Sequence, residues 1–256
     1  MIWNSLRAAL LVCALPALLL GQAPKQLTIA AASDLQTVLP DIVREFERAT
    51  PARVTVSYGS SGSFFAQIQN GAPFDVFLSA DVDYPRQLAD AGLADRSTLQ
   101  LYATGHLVVW ARRESKLDLS RGLAALTDAR VRRVAIANPK YAPYGRAAVA
   151  ALRDARLYDA VQPKLVMGES LAQAAQLVES GNADVGLLSR SMVLGPTLKA
   201  EGTYAEVRAS YPAIDQAGVV VKASREPALA RAFIAFLRRA DTGKQLERFG
   251  FALPRS

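Results

Sequence analysis

Short apolar runs alternate with longer amphipathic segments along most of this chain. Runs rich in Val, Ile and Leu that end at Gly, Ser or Pro are typical of buried strands, and apolar positions three or four residues apart indicate helices. The pattern predicts strands at 27–32, 53–58, 75–79, 107–111, 133–137, 164–167, 183–188 and 218–222. It predicts helices at 35–49, 63–70, 85–91, 145–157, 171–180, 227–239 and 243–249.

Two of these helices have recognisable start signals, and a third has a helix-breaking proline near its start. Ser170 is a plausible N-cap for the helix at 171–180, and Pro227 lies at the first turn of the helix at 227–239. Pro40 makes the helix at 35–49 irregular near its start. Strands that alternate with helices are typical of α/β proteins whose sheets are connected by helical crossovers.

The length of the chain favours two compact α/β lobes over one. No repeat, low-complexity tract or long linker separates them, so we expect strands to cross directly between the lobes. The candidates for crossing are 107–111 and 211–219. We therefore predict a first lobe made of 24–106 and 218–256, and a second lobe made of 107–217.

The first 23 residues have the features of a secretory signal. Arg7 is their one charge, an apolar run follows at 8–20, and Gly21-Gln22-Ala23 provides small residues for cleavage near Ala23. Pro16 interrupts the apolar run, which is too short to span a bilayer comfortably. We expect the mature protein to be soluble and exported.

The residue types that remain exclude several kinds of enzyme. Cys13 is the sole cysteine and lies within the signal, so the mature chain has no thiol for a disulfide, a metal site or a nucleophile. His106 is the sole histidine and is interpreted as structural. A single histidine gives little support to a hydrolase triad or a histidine-ligated metal centre, and no cofactor is expected.

The positive charge of the mature chain is dispersed. Without Arg7 it has 29 basic and 23 acidic residues, a net charge of +6. The basic residues form short pairs such as Arg112-Arg113 and Arg238-Arg239, not a clustered basic face with aromatic residues between them. This distribution argues against nucleic-acid binding and favours long-range attraction of anions.

Two strands end in serine just before a helical segment. The strand at 27–32 leads into Ser33-Asp34, and the strand at 53–58 leads into Gly59-Ser60-Ser61-Gly62-Ser63. Each junction taken alone is compatible with an ordinary N-cap. Because the first N–H groups of a helix have no intrahelical partner, two such junctions within forty residues predict donors that converge on one small anion.

Five motifs follow one another along nearly all of the mature chain: AASDL at 31–35, SSG at 60–62, GAPFDVFLSAD at 71–81, Pro139 with APYGRAA at 142–148, and FGF at 249–251. They resemble the motifs of the periplasmic molybdate-binding proteins of molybdate ABC transporters. The resemblance implies a type II periplasmic-binding-protein fold, in which two lobes with mostly parallel sheets, flanked by helices, close over an oxyanion in the cleft.

The resemblance also implies a set of ligands and a function. Ser33 and Ser61 would donate through hydroxyl and backbone N–H, Tyr144 and Leu171 through backbone N–H, and Asp34 through its N–H and not its carboxylate. The expected protein is a monomer and not an enzyme. It would capture molybdate or tungstate and deliver it to the membrane permease of an ABC importer.

One position departs from the pattern of the family. Some members have a tyrosine after the strand that ends here at Leu188, whereas this chain has Ser189-Arg190-Ser191. Serine is too short to make the same contact. The Tyr144 hydroxyl is one substitute, an exposed Tyr144 packed at the rim is the alternative, and Ser189 acting through a bridging water is a third reading.

The chemistry of the donors bears on the choice of anion. A hydrogen phosphate ion carries a proton that needs an acceptor, so a shell of donors favours a fully ionised dianion such as molybdate, tungstate or sulfate. The residues alone do not separate sulfate from the larger anions; molybdate over sulfate rests on the resemblance, and molybdate over tungstate stays undecided.

Three other readings remain. A receptor for sulfate or another tetrahedral oxyanion would have the same architecture. An enzyme on a related two-lobed fold, the porphyrin-pathway deaminase, attaches its cofactor through a cysteine that the mature chain lacks. A ligand-sensing domain of a transcription regulator would need a DNA-binding segment where this chain has a signal.

Overall fold

The computed structural model describes residues 25–254, so the predicted signal at 1–23 and Cys13 lie outside the described residues. Within them the chain forms two five-stranded sheets with helices between the strands. The strands are β1 (Lys25–Ala32), β2 (Ala52–Gly59), β3 (Val76–Ser79), β4 (Gln100–Gly105), β5 (Leu107–Arg112), β6 (Val134–Ala137), β7 (Leu165–Gly168), β8 (Val185–Ser189), β9 (Gly202–Glu206) and β10 (Ile214–Val220).

The helices pack against these sheets and supply the loops at their edges. They are α1 (Leu39–Ala49), α2 (Ser61–Gln69), α3 (Asp83–Asp90), α4 (Pro143–Asp154), α5 (Tyr158–Val161), α6 (Leu171–Glu179), α7 (Arg190–Val193), α8 (Pro196–Glu201), α9 (Pro227–Leu237) and α10 (Ala240–Arg248). A 3-10 turn at Ser33–Leu35 precedes α1, which begins at Leu39, four residues later than predicted, with Pro40 in its regular first turn.

The strand order is β2-β1-β3-β10-β4 in the first sheet and β7-β6-β8-β5-β9 in the second. In each sheet two neighbouring pairs are parallel and two are antiparallel. The sheets are therefore mixed and not mostly parallel as expected. The cause is that β10 and β5, next to the points where the chain passes between the sheets, run antiparallel to both of their neighbours.

The chain passes between the two sheets twice, from β4 to β5 through His106 and from β9 to β10. The strand that returns to the first sheet begins at Ile214, before the expected boundary at 217/218. It begins earlier because Ile214 to Gln216 pair with Gly105, Thr104 and Ala103 of β4. The division into lobes 24–106, 107–217 and 218–256 stays a prediction, and we call the units around the two sheets the first and second lobe.

Each sheet has its own apolar core. One cluster surrounds the second sheet and includes the fully buried Trp110, while two clusters cover the two faces of the first sheet, around Phe46 and Phe77. Among residues 25–254 no helix is both long enough and apolar enough to cross a membrane.

Candidate functional site

The starts of four helical segments meet at one small cavity between the lobes. The 3-10 turn and α2 come from the first lobe, and α4 and α6 come from the second. The residues that line the cavity are Ala32, Ser33, Asp34, Gly59, Ser60, Ser61, Ala80, Ala142, Pro143, Tyr144 and Leu171. All four residues predicted as ligands, Ser33, Ser61, Tyr144 and Leu171, are therefore brought together.

Ser33 follows the last residue of β1 and begins the 3-10 turn. Its side chain is buried, and its Oγ donates to the carbonyl oxygen of Gly59 at 3.0 Å. Since a hydroxyl has one proton, this proton must leave the Gly59 carbonyl before it can serve an anion in the cavity. The parallel register that pairs Ala32 with Gly59 holds the two serine junctions side by side.

Ser61 is the first residue of α2, and Ser60 caps the helix. The Ser60 Oγ accepts from the Ser63 N–H at 3.4 Å. The Ser61 Oγ accepts from the Ala80 N–H at 2.9 Å. This bond uses a lone pair of the hydroxyl and leaves its proton free to donate into the cavity.

The second lobe contributes backbone N–H groups. Pro143 is the first residue of α4, so Tyr144 presents the first N–H of that helix. Leu171 presents the first N–H of α6, and Ser170 caps that helix by accepting from the Gln173 N–H at 3.3 Å, which confirms the predicted cap. Within residues 25–254 no acceptor is bonded to the N–H groups of Tyr144 or Leu171.

A glycine permits α4 to begin this close to the sheet. A Cβ on Gly145 would lie 2.1 Å from the carbonyl oxygen of Ala137, the last residue of β6. No side chain fits there, so the glycine after Tyr144 fixes how near the first turn of α4 comes to the cavity.

Asp34 brings a carboxyl group to the same cavity. Its side chain is 1% exposed. Oδ2 accepts from the Tyr144 hydroxyl at 3.0 Å and from Nε2 of Gln216. Burial raises the pKa of this carboxyl from 3.8 to about 6, although the bonds from Gln216 and Tyr144 oppose the rise. The motifs predicted a role for the N–H of Asp34 and none for its carboxyl.

The side-chain oxygens of Tyr144 and Ser189 have partners other than a ligand. The Tyr144 hydroxyl donates to Asp34, and Tyr144 is buried, not exposed at the rim. The Ser189 Oγ caps α7 by accepting from the Met192 N–H at 3.3 Å and lies 3.0 Å from Oγ of Ser191. Ser189 does not line the cavity. A direct contact of either oxygen with an anion stays a prediction.

Polar contacts join the two lobes around the cavity. The Gly62 N–H at the start of α2 donates to the Tyr141 carbonyl at 2.8 Å. Arg146 of α4 forms an ion pair with Asp81 and donates to the Tyr84 hydroxyl at 3.2 Å. These contacts hold the cavity closed.

The described residues offer no cluster of three or more His, Cys, Asp or Glu side chains that could hold a metal ion. His106 lies at the passage from β4 to β5, where its carbonyl accepts from the Arg190 N–H at 2.9 Å, and burial lowers the pKa of its imidazole. The cavity is therefore lined by hydroxyls, backbone N–H groups and one carboxyl, which is a set suited to a small polar ion.

A model of bacterial extracellular solute-binding proteins matches residues 27–252. The chain belongs to this family. Its membership confirms the predictions that the chain is a solute-binding protein and not an enzyme.

Individual relatives are molybdate-binding proteins. The molybdate-binding protein ModA of Rhodobacter capsulatus is 34% identical over 234 residues, which cover 91% of each chain. ModA of Azotobacter vinelandii is 35% identical over 97% of this chain and 96% of its own. These relatives confirm the resemblance found in the motifs.

Solved structures agree with the fold. The periplasmic molybdate-binding protein of Azotobacter vinelandii superposes with a TM-score of 0.82 at 32% identity, covering 90% of this chain and all of its own. The sulfate-binding protein SubI of Mycobacterium tuberculosis has a TM-score of 0.72 at 18% identity, which bears on the fold alone. The predicted two-lobed periplasmic-binding-protein fold is confirmed.

Proposed function

We propose that this protein captures molybdate or tungstate in the cavity between its lobes and delivers the anion to the permease of an ABC importer. The anion is held by the hydroxyls and N–H groups of Ser33 and Ser61 and by the N–H groups of Tyr144 and Leu171. The protein acts as a monomer in the periplasm after the signal at 1–23 has been cleaved near Ala23.

One observation carries this proposal: four helical starts from two lobes line a single cavity. Each start has N–H groups without an intrahelical acceptor, and the dipole of each full helix favours negative charge at that end. A tetrahedral anion offers acceptors in all directions, so donors from opposite lobes bind it at once. Closure of the lobes then removes the anion from water.

The donor set supports a dianion held without a cation. Arg146, the cation of α4 nearest the lobe contact, is engaged by Asp81. Neutral donors at fixed positions stabilise the charge of the anion through hydrogen bonds of the charge-assisted kind, which are the stronger class. The relatives named as molybdate-binding proteins support molybdate as the anion.

Isothermal titration calorimetry of the mature protein tests the proposal. Molybdate, tungstate and sulfate are titrated separately at one pH and ionic strength. We expect one site per chain for molybdate or tungstate, with sulfate at least tenfold weaker. Equal affinity for sulfate would make the protein a general receptor for tetrahedral dianions, and the absence of heat with all three anions would refute an oxyanion site.

The export of the protein and the cleavage of its signal are tested separately. Intact mass and N-terminal sequence of the protein secreted by a Gram-negative host should show a chain that begins next to Ala23. A chain that keeps its first 23 residues in the soluble periplasmic fraction would contradict the assigned cleavage.

A further inference from the structure

A carboxyl group is an unexpected neighbour for a dianion. Asp34 lines the cavity with Ser33 and Ser61, and its side chain is buried almost completely. An ionised carboxylate there would repel an oxyanion across a medium that screens charge poorly. The site therefore binds an anion well only if this charge is neutralised.

The two oxygens of the carboxyl differ in their surroundings. Oδ2 accepts from the Tyr144 hydroxyl and from Gln216, whose Oε1 in turn accepts from the Tyr102 hydroxyl at 2.9 Å. Oδ1 is buried and has no hydrogen-bond partner in any other described residue, although the N–H of Asp34 itself helps to stabilise the charge of the carboxyl. A buried carboxylate oxygen without a donor is costly, so Oδ1 is the atom at which a proton is most stabilising.

No cation within the described residues pairs with Asp34. The groups that face it are two phenols, Tyr102 from β4 and Tyr144 from α4, and burial together with the charge of Asp34 raises the pKa of both well above its ordinary value, so they stay neutral. The charged side chains nearest to the carboxyl have other partners: Arg146 pairs with Asp81, Arg190 pairs with Glu206, and Asp215 accepts from Thr104. The neutral Tyr58 and the charged Arg53, Arg153, Asp154 and Glu179 form no hydrogen bond or ion pair with it, since its side-chain partners are Tyr144 and Gln216.

We propose that Asp34 couples binding to a proton: a tetrahedral oxyanion enters the cavity together with one proton, which is shared between Oδ1 of Asp34 and an oxygen of the anion. This inference deepens the proposed function and rests on it. The complex then contains a hydrogen bond between carboxyl and anion where two like charges would otherwise meet.

The proton comes from solvent and no covalent bond of the anion breaks. Ionised Asp34, a dianion and one proton combine to a complex whose net charge at the cavity is minus two. The proton leaves with the anion when the lobes open. Binding therefore consumes protons, and the affinity must fall as pH rises wherever the ligand-free carboxyl is ionised.

The range of pH follows from the burial of the carboxyl, which raises its pKa to about 6 in the ligand-free protein. Above that pH the free protein has lost the proton that the complex retains. The dissociation constant for molybdate should then rise by about tenfold per pH unit, between roughly pH 6.5 and 8.5.

Calorimetry with molybdate in buffers of different ionisation enthalpy measures the number of protons taken up at pH 7.5. We expect about one proton per anion for the wild type. The Asp34→Asn variant should take up about none, and the rise of about tenfold per pH unit in the dissociation constant should be absent. The protonation of molybdate itself contributes equally to both proteins and cancels in the difference.

Asp81→Asn is the matched control. Burial also raises the pKa of Asp81, which lies beside the cavity and pairs with Arg146. This variant should keep the uptake of one proton. If Asp81→Asn loses the proton uptake and Asp34→Asn keeps it, the proton binds to Asp81 and the inference is overturned.

Two further results keep the inference falsifiable if Asp34→Asn does not fold. If the wild type binds molybdate without taking up a proton, the inference is overturned and the proposed function stands. If the wild type binds no oxyanion at all, the proposed function itself is refuted. Tyr144→Phe removes a donor to Oδ2 and should raise the pKa of Asp34, so the pH at which affinity begins to fall moves upward; an unchanged profile would count against the role of Asp34.

Discussion

Single residues determine how tightly the cavity binds an anion. Of the two serines, Ser33 gives the cleaner test. Ser33→Ala removes a hydroxyl whose present partner is the Gly59 carbonyl. It should weaken molybdate binding by about tenfold or more, because a hydrogen bond to a charged group contributes roughly 1.5 to 3 kcal/mol. Calorimetry measures the loss.

Ser63→Ala is the matched control for this substitution. The Ser63 hydroxyl is held by Ser60 and does not line the cavity. Its removal should leave the affinity within about threefold of the wild type, a change of less than 1 kcal/mol. Equal losses in Ser33→Ala and Ser63→Ala would contradict the role of Ser33 as a direct ligand.

Ser61→Ala should affect folding as well as binding. The Ser61 Oγ accepts from the buried Ala80 N–H, so the variant leaves that donor without a partner. We expect a loss of about 1 to 3 kcal/mol in the free energy of unfolding, measured by urea denaturation of the ligand-free protein. Wild-type stability in Ser61→Ala would show that the Ala80 N–H finds another acceptor.

Asp34 makes the stability of the ligand-free protein depend on pH. Its pKa is raised from 3.8 to about 6 in the folded state. The folded protein therefore binds this proton more tightly than the unfolded chain, and the stability contributed at low pH is lost as pH rises from about 4 through about 6. The loss amounts to about 3 kcal/mol at pH 7.

Urea denaturation at several pH values between about 4 and 7 measures this effect as the difference between wild type and Asp34→Asn. The free energy of unfolding should fall more steeply with pH in the wild type. Parallel pH profiles of the two proteins would contradict the raised pKa.

At the scale of elements, the start of α2 controls how closely the lobes approach. A Cβ on Gly62 would lie 2.7 Å from the Tyr141 carbonyl oxygen of the other lobe and 2.7 Å from the Tyr84 hydroxyl. Gly62→Ala should therefore oppose closure and weaken molybdate binding by about fivefold or more, since overpacking costs about 1 to 3 kcal/mol. Calorimetry gives the affinity.

Gly243→Ala provides the comparison, since Gly243 lies within α10 and the added methyl group meets the flexible side chain of Leu253 at 3.1 Å. It should leave the affinity unchanged. If Gly62→Ala binds as tightly as Gly243→Ala, the contact between α2 and Tyr141 does not limit closure.

Strands with long apolar runs were predictable, and two strands were not. The prediction at 107–111 and the observed Leu107–Arg112 agree closely, because five consecutive apolar residues leave little choice. β4 (Gln100–Gly105) and β9 (Gly202–Glu206) were missed. Both mix polar and small residues with apolar ones and lie at the edges of their sheets, where solvent on one side weakens the apolar signal.

The donors of the cavity were predictable from local sequence, and the carboxyl was not. The position of Ser33 and Ser61 between a predicted strand and a predicted helix indicates that they are donors, and this pattern spans only a few residues. The environment of Asp34 depends on Tyr144 and Gln216, which are 110 and 182 residues away along the chain. The burial of the Asp34 carboxyl and the different surroundings of its two oxygens follow from the way the lobes meet. No short sequence pattern contains that information.

At the scale of the whole molecule, the ion pair between Arg146 and Asp81 crosses between the lobes. The Arg146 side chain is 43% exposed and that of Asp81 14%, so solvent screens the pair in part. Arg146→Gln should weaken molybdate binding by about threefold to fivefold, and less at high salt, because exposed ion pairs contribute up to about 1 kcal/mol.

A double-mutant cycle with Asp81→Asn separates this bridge from other effects of the arginine. The two substitutions together should cost little more than either one. Additive losses would mean that Arg146 acts through something other than Asp81, such as general attraction of the anion.

The central claim is that one tetrahedral oxyanion lies between the lobes at the four helical starts. Crystals grown with molybdate and measured at the molybdenum absorption edge locate the metal atom directly by anomalous scattering. We predict one peak per chain in the cavity, with the oxygens of the anion within hydrogen-bond distance of the Ser33 and Ser61 hydroxyls and of the Tyr144 and Leu171 N–H groups. A peak elsewhere, or an empty cavity in crystals of a protein that binds molybdate in solution, would contradict it.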